Sequence, residues 1–193
     1  MLVTAKLLAF SGSARSGSLN KILANAATEA ARAAGAKVTL IDLRDFAMPV
    51  YDGDLEAKEG IPSKARELKA LFMAHNGLLI ASPENNASIS SMLKNTLDWV
   101  SRPDSGQNGL VPYQNKVAGL LSASPGALGG LRGLVHLRAI LQTLNVQVIS
   151  EQFALGRAHE AFDESGKLKD ARQQAMLSGT LQRLVDVTAR LST

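Results

Sequence analysis

The amino-acid sequence predicts an α/β protein whose five-stranded parallel sheet is covered by helices on both faces. Five short apolar segments alternate with five segments in which apolar residues recur at helical spacing. The short segments are largely apolar rather than apolar at every second residue, which is typical of parallel strands buried on both faces. A chain of 193 residues is long enough to bury one full core, so we expect a single domain over residues 1–193.

The predicted strands are short and rich in leucine, isoleucine, valine and alanine. Runs of this kind, bounded by glycine, proline or polar residues, favour buried strands. In chain order they are residues 6–11 (KLLAFS), 37–43 (KVTLIDL), 77–82 (GLLIAS), 116–122 (KVAGLLS) and 146–153 (VQVISEQF).

The predicted helices are marked by apolar spacing and by residues that end a helix. Gly35 is a typical C-terminal cap for the first helix, and Pro103 stops the third. The stretch that contains Pro49, Asp52 and Gly53 is predicted to be irregular. The predicted helices are residues 19–34, 63–74, 89–100, 131–144 and 170–191.

Composition excludes several classes of function. The chain has no cysteine, which excludes thiol nucleophiles, so redox chemistry requires a bound cofactor. Its formal charge of +4 comes from scattered basic residues, and aromatic residues make up only 4%, so we expect no nucleic-acid partner. The N-terminal segment has neither a signal-peptide layout nor a membrane-spanning run. We therefore expect a cytoplasmic protein without a membrane partner.

The first loop, residues 12–20 (GSARSGSLN), has the character of a phosphate site. It joins the first strand to a helix, and the N–H groups at a helix N-terminus favour an anion. Ser18 stands where a Walker A loop has its lysine, so a monophosphate is favoured over a triphosphate. A polar turn in which Ser18 only caps the helix is the alternative. Further donors come from the side chains of Ser13, Arg15, Ser16, Ser18 and Asn20.

The third-strand loop, residues 83–88 (PENNAS), is expected at the same edge of the sheet. Pro83 stiffens it, and Asn85 and Asn86 offer donors and acceptors that suit a planar heterocycle. Glu84 either contacts a ligand or serves as a helix N-terminal acid or a salt-bridge partner.

Three segments together carry a resemblance to a known family. They are GSARSGSLN after the first strand, SPENNASISSMLKNTLDWVSRP after the third and SASPGALGGLRGLVHLR after the fourth. In this order and spacing they resemble the NADPH-dependent FMN reductase family, which includes chromate- and quinone-reducing flavoproteins. The resemblance extends from about residue 5 to residue 153 and implies a flavodoxin-like three-layer sandwich.

The resemblance implies FMN as the cofactor and NADPH or NADH as the electron donor. The first loop then holds the phosphate, the third-strand loop runs along the isoalloxazine ring, and the loop after the fourth strand closes the site. Hydride chemistry occurs at N5 of the flavin, so neither a catalytic residue nor a metal is implied. The implied cofactor-binding residues are Ser13, Arg15, Ser18, Leu19, Asn20, Pro83, Glu84, Asn85, Asn86, Ser122, Ser124, Pro125 and Gly126.

The resemblance also implies electron acceptors and subunit contacts. Quinones are the expected acceptors, with chromate, azo compounds and free flavin as further ones, reduced in a ping-pong reaction. The family forms dimers and tetramers, which implies a subunit contact for Arg132 and Glu151. The chain departs from the family pattern P-E-Y-N at Asn85, where a smaller side chain widens the pocket above the flavin and leaves backbone contacts in place.

The histidines and Trp99 carry no signal for a metal site or a different cofactor, and two other functions remain as alternatives. His75, His136 and His159 lie at a presumed helix end, in a helix and in a loop, without metal-ligand spacing. Trp99 is expected to pack a helix face or a subunit contact. The alternative functions are a flavodoxin-type electron carrier and a phosphate-ligand binding module, although flavodoxins are typically acidic and use aromatic residues around the flavin.

Overall fold

The computed structural model describes residues 3–192 and contains a five-stranded sheet in which every strand pair is parallel. The strand order is β2-β1-β3-β4-β5, which is that of flavodoxin-like doubly wound sheets. The predicted fold class is therefore confirmed. The strands are β1 (Lys6–Ser11), β2 (Lys37–Asp42), β3 (Gly77–Ala81), β4 (Val117–Ala123) and β5 (Gln147–Leu155).

Helices cover both faces of the sheet. The first and last helices, α1 and α7, pack on one face, and α3, α4 and α5 pack on the other. Short 3-10 turns follow β2 and precede β4. The helices are α1 (Leu19–Ala33), α2 (Gly53–Glu59), α3 (Ser63–Ala74), α4 (Ser91–Val100), α5 (Leu131–Thr143), α6 (Ala158–Ala161) and α7 (Ala171–Leu191).

The core consists of two apolar layers separated by the sheet. Leu7 on β1 packs with residues of α1 and α7, while its neighbour Leu8 packs with α3, α4 and α5, and both are fully buried. Successive side chains of a strand point to opposite faces, so a strand between two helix layers must be apolar throughout. This explains why the uniformly apolar segments predicted the sheet correctly.

The structure differs from the prediction at two short helices. The helix α2 lies in the stretch predicted to be irregular, where the Asp52 carboxylate accepts hydrogen bonds from the backbone of Asp54 (2.8 Å) and Leu55 (3.3 Å). Asp52 followed by glycine is a turn signal that also suits the start of a helix. The four-residue α6 lies where a polar loop was expected and places His159 on a helix.

The boundaries of α4 matter for the site. The helix begins at Ser91, two residues after the predicted start, because Ser90 is its N-cap and accepts a hydrogen bond from the backbone of Leu93 at 3.1 Å. Near its other end, Trp99 is fully buried and donates to the carbonyl of Pro49 at 2.8 Å. Trp99 thus packs inside the chain, which agrees with the expected packing of a helix face and not with a subunit contact. Among the helices of residues 3–192, none has the length and apolarity needed to cross a membrane.

Candidate functional site

A cavity of about 590 Å³ opens at the carboxyl ends of β1, β3 and β4. Ligands of doubly wound sheets bind at this edge, where the strand order reverses between β1 and β3. The volume falls within the range of about 300–1,000 Å³ that is usual for ligand pockets. The cavity is lined by residues 12–15, 17–20, 83–85, 90–92 and 123–125 and by His159.

The first loop is held against α4 by a close approach at Gly12. A Cβ atom at this position would lie 3.0 Å from the Cβ of Leu93 and 3.3 Å from the Cδ of Pro83, so a larger residue would push the two segments apart. The backbone of Gly12 donates to the Ala81 carbonyl at 3.0 Å, and its own carbonyl accepts from the hydroxyl of Ser90 at 2.5 Å. These contacts bring the first loop and the start of α4 to one end of the cavity.

Two helix N-termini therefore face the cavity. The backbone N–H groups in the first turns of α1 and α4 lack partners within their helices and carry partial positive charge. Ser18 is the N-cap residue of α1, yet its side chain makes no capping hydrogen bond. The structure therefore does not support the alternative in which Ser18 only caps the helix. The Ser18 hydroxyl is available to a ligand.

The charges around the cavity favour an anion. Arg15 is exposed at the rim and forms no ion pair with any residue from 3 to 192. His159 lines the opposite side and contacts Glu160 at 3.0 Å. The acid that lines the cavity, Glu84, is already neutralised by Arg132. A phosphate group would therefore meet an arginine and two helix N-termini without an opposing free carboxylate.

Asn20, predicted as a phosphate donor, also links two elements of the fold. Its Nδ2 donates to the carbonyl of Ala123 at 2.8 Å, and its Oδ1 accepts from the backbone N–H of Ala123 at 2.9 Å. Both ends of the buried amide are thus paired with the last residue of β4. Asn20 lines the cavity, and its side chain links α1 to β4, which commits one of its two N–H donors to the fold.

The third-strand loop is a tight turn. Asn85 and Ser88 exchange backbone hydrogen bonds of 2.9 and 3.0 Å, and the two residues between them are in the left-handed region, with φ of 50° at Asn86 and 62° at Ala87. Pro83, Glu84 and Asn85 line the cavity. Asn86 was predicted to do so as well, but the turn places it at the exposed tip.

Glu84 forms the ion pair and the helix N-terminal contact that were expected of it, while its contact with a ligand stays a prediction. Its carboxylate accepts hydrogen bonds from the guanidinium of Arg132 and from the backbone N–H of Gly133, near the start of α5. Burial alone would raise the pKa of Glu84, but the hydrogen bonds from Arg132 and Gly133 outweigh burial and lower the pKa below its ordinary value. Glu84 is thus a salt-bridge partner and a helix N-terminal acid that remains ionised at neutral pH.

The loop after β4 supplies two of the four residues predicted there. Ser124 and Pro125 line the cavity. Ser122 does not, because it is fully buried and its hydroxyl donates to the carbonyl of Gly129 at 2.6 Å. Gly126 does not either, since its carbonyl faces the backbone N–H groups of Gly129 and Arg157 and closes the loop on itself.

Ten of the thirteen predicted residues line the cavity, and other lining residues were missed. Ser90, Ser91 and Met92 were assigned to the interior of a helix that was predicted to begin too early. The two consecutive serines are the signal that could have located its N-terminus. His159 carried no such signal, because only the end of β5 brings it near the first loop. The predicted residues that line the cavity are Ser13, Arg15, Ser18, Leu19, Asn20, Pro83, Glu84, Asn85, Ser124 and Pro125.

A larger cleft of about 870 Å³ lies between α1 and α7. It is lined by the acids Glu29, Asp163 and Glu164, with Lys167 as its basic residue. It lies away from the strand ends, and its acidic lining disfavours a phosphate ligand. The charges of the two linings therefore favour the smaller cavity, at the ends of β1, β3 and β4, as the site of a phosphate ligand.

Comparison with known proteins shows the family of the chain. The family model for NADPH-dependent FMN reductases matches residues 5–160. An NAD(P)H-dependent FMN reductase of Pseudomonas aeruginosa is 35% identical over 181 residues, which cover 93% of this chain and 92% of the relative. A quinone reductase of Escherichia coli K12 is 32% identical over 173 residues, which cover 88% of each.

A solved structure has the same fold over nearly the whole chain. FerB, a flavoenzyme NAD(P)H:(acceptor) oxidoreductase from Paracoccus denitrificans, is similar with a TM-score of 0.79 and 26% identity. The match covers 97% of this chain and 98% of FerB. The chain therefore belongs to the NADPH-dependent FMN reductase family, as an oxidoreductase that uses FMN as cofactor and NADPH or NADH as electron donor.

Proposed function

We propose that this chain catalyses the two-electron reduction of quinones by NAD(P)H, with FMN bound in the cavity at the ends of β1, β3 and β4. The observation that carries the proposal is the lining of this cavity, which combines Arg15, serine hydroxyls and the start of α1 with the loops of residues 83–85 and 123–125. We call the part lined by the first loop the cationic end and the part lined by the other two loops the open end. The quinone reductase relative supports the choice of acceptor.

The cationic end fits the flavin phosphate. Arg15 supplies a guanidinium without a partner in residues 3–192, and Ser13 and Ser18 supply hydroxyls beside the start of α1. Asn20 supports this end through the hydrogen bonds of its amide to Ala123, which hold the start of α1 against β4. We assign the phosphate to this end of the cavity.

The open end fits the isoalloxazine ring. Residues 83–85 lie on one side of it and residues 123–125 on the other. Backbone N–H and C=O groups of such loops pair with the polar edge of a flavin, which suits Pro83, Glu84 and Asn85 as a backbone surface. Ser124 and Pro125 close the opposite side.

Bound FMN supplies hydride acceptance and electron transfer. The protein's own residues bind and orient the cofactor and keep one side of the cavity open. Glu84 is paired with Arg132, so its carboxylate is not free to act as an acid or a base at this position. Catalysis then depends on positioning rather than on a protein acid or base.

We infer a ping-pong order, in which NAD(P)H and the acceptor use the same exposed face of the flavin in turn. Donor and acceptor must use the same open side, so the oxidised nicotinamide leaves before the quinone enters. Initial rates at several fixed quinone concentrations, plotted in double-reciprocal form against NADPH, are expected to give parallel lines. Intersecting lines would show that both substrates bind together.

The acceptor range follows from Asn85. This exposed asparagine at the cavity mouth leaves more room than a tyrosine, so we propose that chromate, azo compounds and free flavin are reduced as well as quinones. The direct test measures NADPH and NADH oxidation by FMN-reconstituted protein with 1,4-benzoquinone and with each other acceptor. Absence of acceptor-dependent oxidation would refute the enzymatic proposal.

We also propose a homodimer or homotetramer. Leu131 and Val135 are exposed one turn apart on α5, and we propose that a second copy of the chain covers this apolar face. The resemblance assigned Arg132 and Glu151 to subunit contacts, but within one chain Arg132 pairs with Glu84 and Glu151 with Arg183 at 3.6 Å. Light scattering measures the molar mass of the wild type and of Val135→Glu, which places a charge on the exposed face of α5. A smaller assembly in the variant would support the contact, and a monomeric wild type would contradict the proposed oligomer.

A further inference from the structure

We propose that Glu84 is a positioning residue, which together with Arg132 fastens the third-strand loop to α5 and thereby sets the backbone that faces the flavin. The proposal rests on the FMN site described above. It assigns to Glu84 an indirect role, through the turn that follows it, and not a contact with the cofactor.

The carboxylate of Glu84 is saturated by donors on the side of α5. Its Oε1 accepts from Nε of Arg132 at 2.9 Å and from Nη2 at 2.5 Å, and its Oε2 accepts from the backbone N–H of Gly133 at 3.2 Å. The side chain of Glu84 is only 9% exposed, whereas that of Arg132 is 61% exposed. The buried partner is therefore the acid: Glu84 lines the cavity, and its carboxylate oxygens are paired with donors near the start of α5.

A second link lies one turn further along α5. Nδ1 of His136 is 3.0 Å from the hydroxyl of Ser88, at the other end of the turn. Between the two links, a Cβ on Gly133 would lie 3.1 Å from the Ser88 carbonyl and 3.4 Å from the Cβ of Glu84. One face of α5 thus contacts both ends of the turn, and glycine at position 133 permits this close approach.

The turn itself explains why external links are needed. Ala87 has a φ of 62°, a left-handed conformation that is sterically unfavourable for a residue with a Cβ. Within the turn, the Asn85 and Ser88 backbones exchange two hydrogen bonds across a single bridge. A strained turn persists when its surroundings over-determine it, and here the surroundings are the ion pair and the His136 contact. The links leave the cavity side of the turn free for the ring.

The experiment compares FMN binding by Glu84→Gln, Arg132→Met and the double variant, using quenching of FMN fluorescence. Each single variant is expected to weaken FMN binding about tenfold, and the double variant no more than either alone, because both remove the same link. Glu67→Gln, which removes an exposed acid paired with Lys64 on α3, is the matched control and should bind within about twofold of wild type.

A spectroscopic measurement separates positioning from general stability. At saturating FMN, the band shape of the bound flavin in Glu84→Gln should differ from wild type, while urea unfolding of the apo form verifies that the variant is folded. Arg132→Lys keeps the charge but loses the two-pronged contact, and it is expected to show a smaller change of the same kind. Wild-type affinity and band shape in these variants, or additive losses in the double variant, would overturn the proposal. Failure of wild-type protein to bind FMN would instead overturn the assigned site.

Discussion

Two exposed arginines flank the cavity but differ in their partners. Arg132 is tied to Glu84, whereas Arg15 has no ion-pair partner within residues 3–192. An exposed arginine that is held by no acid contributes little to stability, and it is free to meet an anion. At the residue scale, the partner of each arginine therefore decides its role.

Replacement of Arg15 by glutamine should weaken FMN binding about tenfold to a hundredfold, because a hydrogen bond to a charged group contributes about 1.5–3 kcal/mol. The free energy of unfolding of the apo protein should change by less than about 0.5 kcal/mol. Fluorescence titration and urea unfolding measure these quantities. Arg190→Gln removes the same charge at an exposed position in the last turn of α7, where Thr188 approaches Gly77 at the start of β3, the opposite end of that strand from the cavity, and it should leave FMN affinity unchanged.

Replacement of Ala87 by glycine should stabilise the protein. Glycine adopts the left-handed conformation without the steric cost that alanine bears at a φ of 62°, although it loses more entropy on folding. The net expected gain is about 0.5–1 kcal/mol in the free energy of unfolding, measured by urea denaturation. A loss of stability would show that the Ala87 methyl group makes packing contacts that outweigh the strain.

At the scale of elements, Asn20 joins α1 to β4 through two buried hydrogen bonds. Asn20→Ala leaves a buried N–H and C=O of Ala123 without partners, which should cost about 2–4 kcal/mol in the free energy of unfolding. FMN binding should weaken too, because the first loop and the end of β4 lose their connection. Unchanged stability would mean that water replaces the amide of Asn20. The control is Asn25→Ala, a substitution on α1 that does not touch the link to β4.

Asp42 joins β2 to α1 through Lys21 at 2.7 Å, and it also binds Arg44 at 2.8 Å. Burial raises the pKa of Asp42, but the hydrogen bonds from Arg44 and Lys21 outweigh burial and hold the pKa well below its ordinary value. A carboxylate whose folded-state pKa is depressed contributes stability above its unfolded pKa and loses it as the pH falls. The contribution is thus present at neutral pH and lost in acid.

Asp42→Asn should therefore lower the free energy of unfolding by about 1 kcal/mol near neutral pH, allowing for partial solvent exposure. The difference from wild type should shrink as the pH falls below about 4, where the unfolded chain takes up the proton. Urea unfolding at a series of pH values measures this difference. A gap that stays constant or grows on acidification would contradict the assignment of the stabilisation to the charge of Asp42.

At the scale of the whole molecule, the layers were predictable and two small elements were not. Strands between two helix layers must be apolar throughout, so the five segments were visible in the sequence. The helix α2 has no buried residue of its own and is held by contacts between distant parts of the chain, such as Arg102 to Glu56 at 2.9 Å. Local periodicity cannot reveal a helix that depends on such contacts.

The site was predictable by loop but not by side-chain direction. Strand-to-helix order placed three loops at one edge of the sheet, and Ser124 and Pro125 indeed reach the cavity. Ser122 is two residues before Ser124, yet its hydroxyl turns inward to Gly129. Which way a loop side chain points depends on backbone conformation, and residue type alone does not contain that information. His159 was missed for another reason: only the end of β5 brings α6 near the first loop.

The central claim is that FMN binds at the ends of β1, β3 and β4 and is reduced there by NAD(P)H. Anaerobic titration of FMN-reconstituted protein with NADPH, followed by visible absorption, tests it most directly. We predict that about one equivalent of NADPH bleaches the bound flavin and that added 1,4-benzoquinone restores its absorption. Arg15→Gln should shift FMN from bound to free in the same experiment. A flavin that stays oxidised in the presence of excess NADPH, or that is never bound, would contradict the account.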